Sequence, residues 1–121
     1  MPNGAPTHRI ADTLDCVKHG ALPLQPGPDG VVIGGDGPLC LNIWVPRDAT
    51  PWSRFPVMVW VPGGGSIRCA QNDERFDGTH FAAHGCILVT LAYRVNIDGF
   101  LKIRGGDSNL GVRDIIMGLR W

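Results

Sequence analysis

The residues best suited to chemistry in this sequence are three consecutive glycines, Gly63-Gly64-Gly65, set directly after Pro62 and the apolar run Val57 to Val61. Glycine tolerates positive φ and lets another group come close to the chain. Successive bare N–H groups at the carboxyl end of a buried strand make a site for an anion or a developing oxyanion. A tight strand-to-loop turn without chemistry fits the same stretch, and the stretch alone leaves both readings open. Ser66, beside the glycines, has no neighbouring base in sequence, so its expected role is that of a loop serine. His80 and His84 stand four apart, a spacing that on a helix puts both on one face and could hold a metal. No acidic third ligand lies at matching spacing, so solvated helix residues are the preferred reading. Gly34-Gly35-Asp36-Gly37 has the look of a phosphate loop, but the G-x-G-x-x-G spacing fails and no helix follows. A nucleotide-binding α/β domain using Gly63 to Gly65 for phosphate also lacks the expected Lys-Ser/Thr after the glycines.

Cysteine usage argues against a structural zinc. Cys16, Cys40, Cys69 and Cys86 stand far apart with no C-x-x-C pair. Cys86 lies in an apolar run and reads as a small buried hydrophobe, and pairing of the others is not set by sequence. At 121 residues, 44% of them apolar, the chain is sized for one small domain. Acidic and basic residues balance at 11 each, which gives no footprint for nucleic acid or an anionic membrane surface. No apolar run is long enough to span a bilayer. The N-terminus has no apolar core followed by a cleavage site and does not read as a signal peptide, and no compartment is assigned.

The elements that must position the glycines follow from periodicity. Val57 to Val61 reads as a strand buried on both faces, as in a mostly parallel sheet. Residues 1–37 are dense in proline and glycine and read as a loop-rich lead-in, with Asp29-Gly30 a turn into the short strand Val31 to Ile33. Leu39 to Val45 alternates as a strand stopped by Pro46, and the short link to the central strand fits an antiparallel neighbour on the sheet edge. A polar loop from Ser66 to Asp73 leads to a short helical region, Glu74 to His84, interrupted at Asp77-Gly78. Cys86 to Tyr93 is a second fully apolar strand, so the middle of the chain is a βαβ unit with a right-handed crossover expected. The last element is a helix with Val112, Ile115, Ile116 and Leu119 as its apolar face, Ser108 or Asn109 as its cap, and Asp114 near the positive end of its dipole. The pattern reaches Trp121 without a C-terminal stop signal, so this helix is expected to be cut.

Together these blocks resemble the N-terminal part of the type-B carboxylesterases, the family of cholinesterases and fungal lipases within the α/β-hydrolase fold. Leu39-Cys-Leu-Asn-Ile-Trp-Val-Pro46 is similar to the family strand E-D-C-L-x-L-N followed by Val or Ile. Pro56-Val-Met-Val-Trp-Val-Pro-Gly-Gly-Gly65 resembles its strand and glycine loop, and Phe76-Asp77-Gly78 resembles Y-D-G. Ala92-Tyr93-Arg94, Gly99-Phe100-Leu101, Asn109 to Asp114 and Leu119-Arg-Trp121 follow its N-Y-R, G-F-L, G-N-x-G-L-x-D-Q and A-L-x-W blocks. The resemblance covers residues 36–121, and 38–121 is taken as a partial α/β-hydrolase domain behind the lead-in.

The resemblance implies a serine in a G-x-S-x-G elbow that attacks an ester carbonyl, with a histidine backed by an acid moving the proton. It makes Gly64 and Gly65 the two loop donors to the oxyanion, beside one N–H from the residue after the serine. It pairs Arg94 with Asp114 as a structural tie between a strand end and the next helix. It implies a small-molecule carboxylic ester as substrate, no metal and no cofactor. Departures stand beside the matches. Pro62 replaces His or Tyr before the glycines, Ser66 replaces an aromatic, and Cys69 replaces a glycine. The family's first-strand Cys falls at Pro38, so its small disulfide loop is not expected. Ala92 replaces an Asn, and Ile115 replaces a Gln. No G-x-S-x-G occurs in these residues. The expected fold is therefore an α/β-hydrolase truncated before its nucleophile elbow, with no esterase activity by this chain alone. A noncatalytic cholinesterase-like interaction module, or a relic fragment, is the alternative.

Overall fold

A computed structural model describes residues 18–35 and 39–121, so Cys16, His8, Asp36-Gly37 and Pro38 lie outside the described residues. The first element is a two-stranded antiparallel hairpin, β1 Gln25–Pro26 and β2 Val32–Ile33, in register Gln25↔Ile33. Its turn is closed by Gly27 N–H donating to Val31 O at 2.7 Å and Gly30 N–H to Gly27 O at 3.1 Å. The Asp29-Gly30 turn into a short strand is thus found where the sequence placed it.

The main sheet has three strands, β3 Leu41–Trp44, β4 Val57–Trp60 and β5 Ile87–Leu91, in the order β3-β5-β4. β5 takes the centre because its residues suit burial on both faces: Leu88, Thr90 and Leu91 are almost fully enclosed. β4 runs parallel to it, Val57↔Ile87 to Trp60↔Thr90, and β3 antiparallel, Leu41↔Leu91 to Trp44↔Leu88. Two expectations need correction. The sheet is mixed rather than mostly parallel, and β3 is an antiparallel edge strand whose neighbour is β5, not β4. The short link after β3 does not close a hairpin because β5, with hydrogen-bonding partners on both sides, lies between the two strands.

β4 also departs from its expected burial on both faces. Val57 is 58% exposed and Trp60 40%, because β4 is an edge strand and no described element covers its outer side. Between β4 and β5 the chain makes a single 3-10 turn, Glu74–Phe76, and the short helix α1, Thr79–Ala83, completing the βαβ unit. Asp73 caps the 3-10 turn by accepting from Arg75 N–H, and its carboxylate holds the Arg75 guanidinium at 2.7 Å. That contact keeps the Asp73 carboxyl well down, at about 2.

After β5 come α2, Asn96–Phe100, and α3, Leu110–Arg120. The buried stripe of α3 is Gly111 and Asp114, with Ile115 packed against the core, whereas Val112, Ile116 and Leu119 are exposed at 44%, 43% and 58%. The expected apolar face therefore faces outward for three of its four residues. The physical reason is close approach: a Cβ on Gly111 would stand 2.3 Å from Arg94 O, and one on Gly118 2.9 Å from Leu91 Cδ2. Glycines set the contact face, so the helix docks one residue out of phase with its apolar stripe. The expected side-chain cap is also absent. Asn109 occupies the N-cap position in the left-handed conformation, φ 55 and ψ 43, in place of the extended backbone a capping side chain uses, and its side chain makes no capping bond. The core sits where Cys69, Tyr93 and Val95 meet Ile115.

Candidate active site

The glycine loop leaves the carboxyl end of β4 through buried Pro62 and turns sharply back on itself. Gly64 has φ 155 and Gly65 φ 62, and Ser66 follows at φ 62 although it is not a glycine. Gly64 is obligatory for space as well as for conformation, because a Cβ there would lie 2.0 Å from Arg68 O. Gly64 O accepts from the N–H groups of Ile67 and Arg68, both at 3.1 Å, which commits the loop's carbonyl to its own turn. The N–H groups of Gly63, Gly64 and Gly65 make no hydrogen bond to any described residue, and all three glycines are exposed. Unpaired donors in a conformation fixed from both ends are what a site for a developing negative charge requires.

Three contacts fix that conformation. At the entry, Tyr93 Oη donates to Pro62 O at 2.6 Å. Burial, aided by the nearby Cys69 thiol, pushes the Tyr93 phenol up from its ordinary value, so this donor stays protonated at neutral pH. In the middle, Asn96 N–H donates to Ser66 O at 2.7 Å. At the exit, the buried Gln25 side chain donates to Cys69 O at 2.9 Å and accepts from Cys69 N–H at 2.6 Å. Neither Gln25 nor the Tyr93 hydroxyl stands out in the sequence as a loop anchor. Tyr93 lies in the quoted N-Y-R block, but the Gln25 contact spans 44 residues and has no local signal.

Arg94 and Asp114 are brought together. The guanidinium Nε and Nη2 donate to the two carboxylate oxygens at 2.8 and 2.6 Å, and Arg94 backbone N–H donates to the same carboxylate at 3.0 Å. The Asp114 side chain is 2% exposed and that of Arg94 32%, so the pair ties the exit of β5 to α3 largely out of water. Hydrogen bonding to Asp114 holds the guanidinium's pKa above its ordinary value. An open groove of about 430 Å³ lined by Pro23, Leu24, Arg94, Ile97, Leu101 and Leu110 lies beside this pair and includes none of the loop glycines.

His80 and His84 lie on and just after α1, exposed, with ring centroids 4.4 Å apart and His84 Nδ1 2.8 Å from His80 O. Among the described residues no three His, Cys, Asp or Glu side chains gather to hold a metal ion. Cys40, Cys69 and Cys86 are free thiols; burial pushes Cys40 and Cys69 up, and Cys86 is half-buried rather than enclosed. No described helix is long and apolar enough to cross a membrane.

Comparison with known proteins gives this geometry a lineage. The model of the carboxylesterase family matches residues 4–121, reaching further toward the N-terminus than the blocks at 36–121 that carry the resemblance. The chain is 34% identical over 98 residues to the cAMP-regulated D2 protein of Dictyostelium discoideum, covering 81% of this chain and 18% of that protein. It is 41% identical over 86 residues to carboxylesterase 1D of Mus musculus and 40% identical over 86 residues to liver carboxylesterase 1 of Oryctolagus cuniculus, covering 69% of this chain and 15% of each relative. The chain thus spans less than a fifth of the length of these relatives. Matched by the family model over nearly its whole length, it belongs to the carboxylesterase family.

Proposed function

We propose that this chain carries the oxyanion-stabilising loop of a serine carboxylic-ester hydrolase of the α/β-hydrolase fold. The observation that carries the reading is the glycine loop at the end of β4, with free N–H groups and both ends pinned, in a chain of carboxylesterase lineage. As a nucleophile attacks the ester carbonyl, its oxygen gains negative charge. The Gly64 and Gly65 N–H groups donate to that oxygen more strongly in the tetrahedral state than in the ground state, and each such donor lowers the barrier by about 3 kcal/mol. The substrate is a small-molecule carboxylic ester, and the charge is met by backbone dipoles, so this step calls on neither metal nor cofactor.

The nucleophilic serine, the histidine and the acid come from outside these residues, where no G-x-S-x-G occurs. Exposed Val57 and Trp60 on β4, and Val112, Ile116 and Leu119 on α3, are the surfaces against which the rest of such a fold would pack. Arg94 and Asp114 serve structure, fixing α3 against the end of β5. Residues 1–121 alone therefore leave a p-nitrophenyl ester unhydrolysed above buffer. The longest expressed product that carries them together with an elbow serine hydrolyses it, and Gly64→Pro abolishes that activity. Hydrolysis by residues 1–121 alone, or an active longer product indifferent to Gly64→Pro, rejects the assignment.

A further inference from the structure

The Cys69 N–H and the Arg68 C=O belong to one peptide unit, and a trans peptide is planar with these two groups on opposite sides. On one side, the N–H donates to Gln25 Oε1 at 2.6 Å. On the other, Arg68 O stands where a Cβ on Gly64 would be, 2.0 Å from that position. The orientation of this single plane therefore limits where the Gly64 backbone can lie. Gln25 holds the plane's neighbour as well, because its Nε2 donates to Cys69 O at 2.9 Å. A primary amide that both accepts from and donates to one residue acts as a strand partner would, and fixes that residue's orientation rather than only its distance. Gln25 itself is 4% exposed, so water does not compete for either bond. The same hairpin reaches the loop a second time, through Arg68 Nη2 at 3.5 Å from Gly27 O.

We propose that Gln25 is a positioning residue for the glycine loop: from β1 it sets the Arg68–Cys69 peptide plane, and through that plane the aim of the Gly64 and Gly65 N–H groups. Its catalytic meaning rests on the oxyanion reading of those two glycines. The hairpin then works as a brace for the site, reaching it across 44 residues of sequence.

The test follows backbone amide signals in residues 1–121 by ¹H–¹⁵N NMR, with Gln25→Met and Gln25→Glu beside the wild type. Gln25→Met keeps the side chain's length and loses both bonds. Exchange of the Cys69 amide then rises about tenfold and the Gly64 and Gly65 signals move, while β5 amides keep their positions. Gln25→Glu distinguishes aim from mere packing and covers the case in which Gln25→Met fails to fold. Its protonated carboxyl can donate to Cys69 O and accept from Cys69 N–H as the amide did, so the Gly64 and Gly65 signals take wild-type positions at low pH. Deprotonation sets a carboxylate against Cys69 O, and the two signals move as pH rises. Glycine signals that stay fixed through that titration overturn the proposal, as does a wild-type Cys69 amide exchanging at the rate of an unfolded chain while the β5 amides stay protected. No ester is needed, so failure here leaves the hydrolase assignment standing, and a failed ester assay leaves the brace standing.

Discussion

Replacing Gly64 and Gly65 by alanine, one at a time, separates two demands that the loop makes on its glycines. At Gly65 nothing lies within 4 Å of an added Cβ, and only the φ of 62 resists substitution. The left-handed conformation costs an L-residue about 1–2 kcal/mol, which is the whole expected penalty for Gly65→Ala. At Gly64 the added Cβ meets Arg68 O at 2.0 Å, Arg68 C at 2.8 Å and Arg68 Cβ at 3.2 Å. An ordinary carbon–oxygen contact is about 3.3–3.6 Å, so the Arg68 peptide must retreat by more than about 1 Å. It has little room to do so, because Gln25 holds the same peptide unit at 2.6 Å from the other side. Overpacking of this kind adds about 1–3 kcal/mol to a backbone cost of the same size as at Gly65, which brings Gly64→Ala to about 2–5 kcal/mol. Urea denaturation followed by tryptophan fluorescence reads both variants, since Trp60 at the end of β4 lies 5.5 Å from the Phe76 ring and changes environment on unfolding. Equal losses for the two variants would refute the argument that a peptide plane, and not the backbone angle alone, excludes a side chain at Gly64.

Asp114→Ala removes three hydrogen bonds from Arg94, and about 2–3 kcal/mol of stability goes with them in denaturant melts. That is below the full cost of breaking a buried pair because the Arg94 side chain is 32% exposed and regains water. Tyr93→Phe deletes the hydrogen bond to Pro62 O and costs about 1–2 kcal/mol. The same variant tests a pH dependence. Burial holds the folded phenol above the ordinary 10.0, so its contribution is complete below pH 10.0 and is lost as pH rises through the folded value. Tyr93 is the only tyrosine, so ultraviolet phenolate absorbance reports it alone; a midpoint at or below the ordinary value contradicts this environment. On α3 of residues 1–121 alone, Ile116→Lys changes stability by no more than about 0.5 kcal/mol, whereas Ile115→Ala costs about 1–2 kcal/mol, and the reverse order would restore the apolar face expected from periodicity.

Much of the architecture was legible because it is local. The Asp29-Gly30 turn, the break at Asp77-Gly78 between two short helical pieces, and the βαβ unit around the glycine loop all follow from residue type and period. The sharp turn at the glycines was legible for the same reason, although the stretch alone left a plain turn and an oxyanion site both open. What escaped reading is tertiary. Apolarity in Val57 to Val61 reports a preference for burial but not which element supplies the cover. Periodicity on α3 favoured Val112, Ile116 and Leu119, because a contact face built from Gly111 and Gly118 around a charged Asp114 is invisible to a hydrophobic pattern. Strand adjacency was misjudged because the link between β3 and β4 is shorter than the path to β5, and chain proximity is a weaker guide than burial. Gln25 carried no signal at all: a polar residue among prolines looks like loop until its partner, Cys69, is known.

The central claim is that the Gly64 and Gly65 N–H groups stabilise a developing oxyanion, and removal of one N–H with every side chain kept, and only a weaker acceptor left at the Gly64 carbonyl, tests it most directly. Cys69 offers a ligation junction just beyond the loop, through which glycolic acid can replace Gly65 as a backbone ester in the longest active product that carries these residues. The account predicts a fall in kcat of about 100-fold or more for a short p-nitrophenyl ester, with KM little changed, the signature of a contact made in the transition state. A folded, ligated enzyme that keeps its kcat after losing that N–H would contradict it.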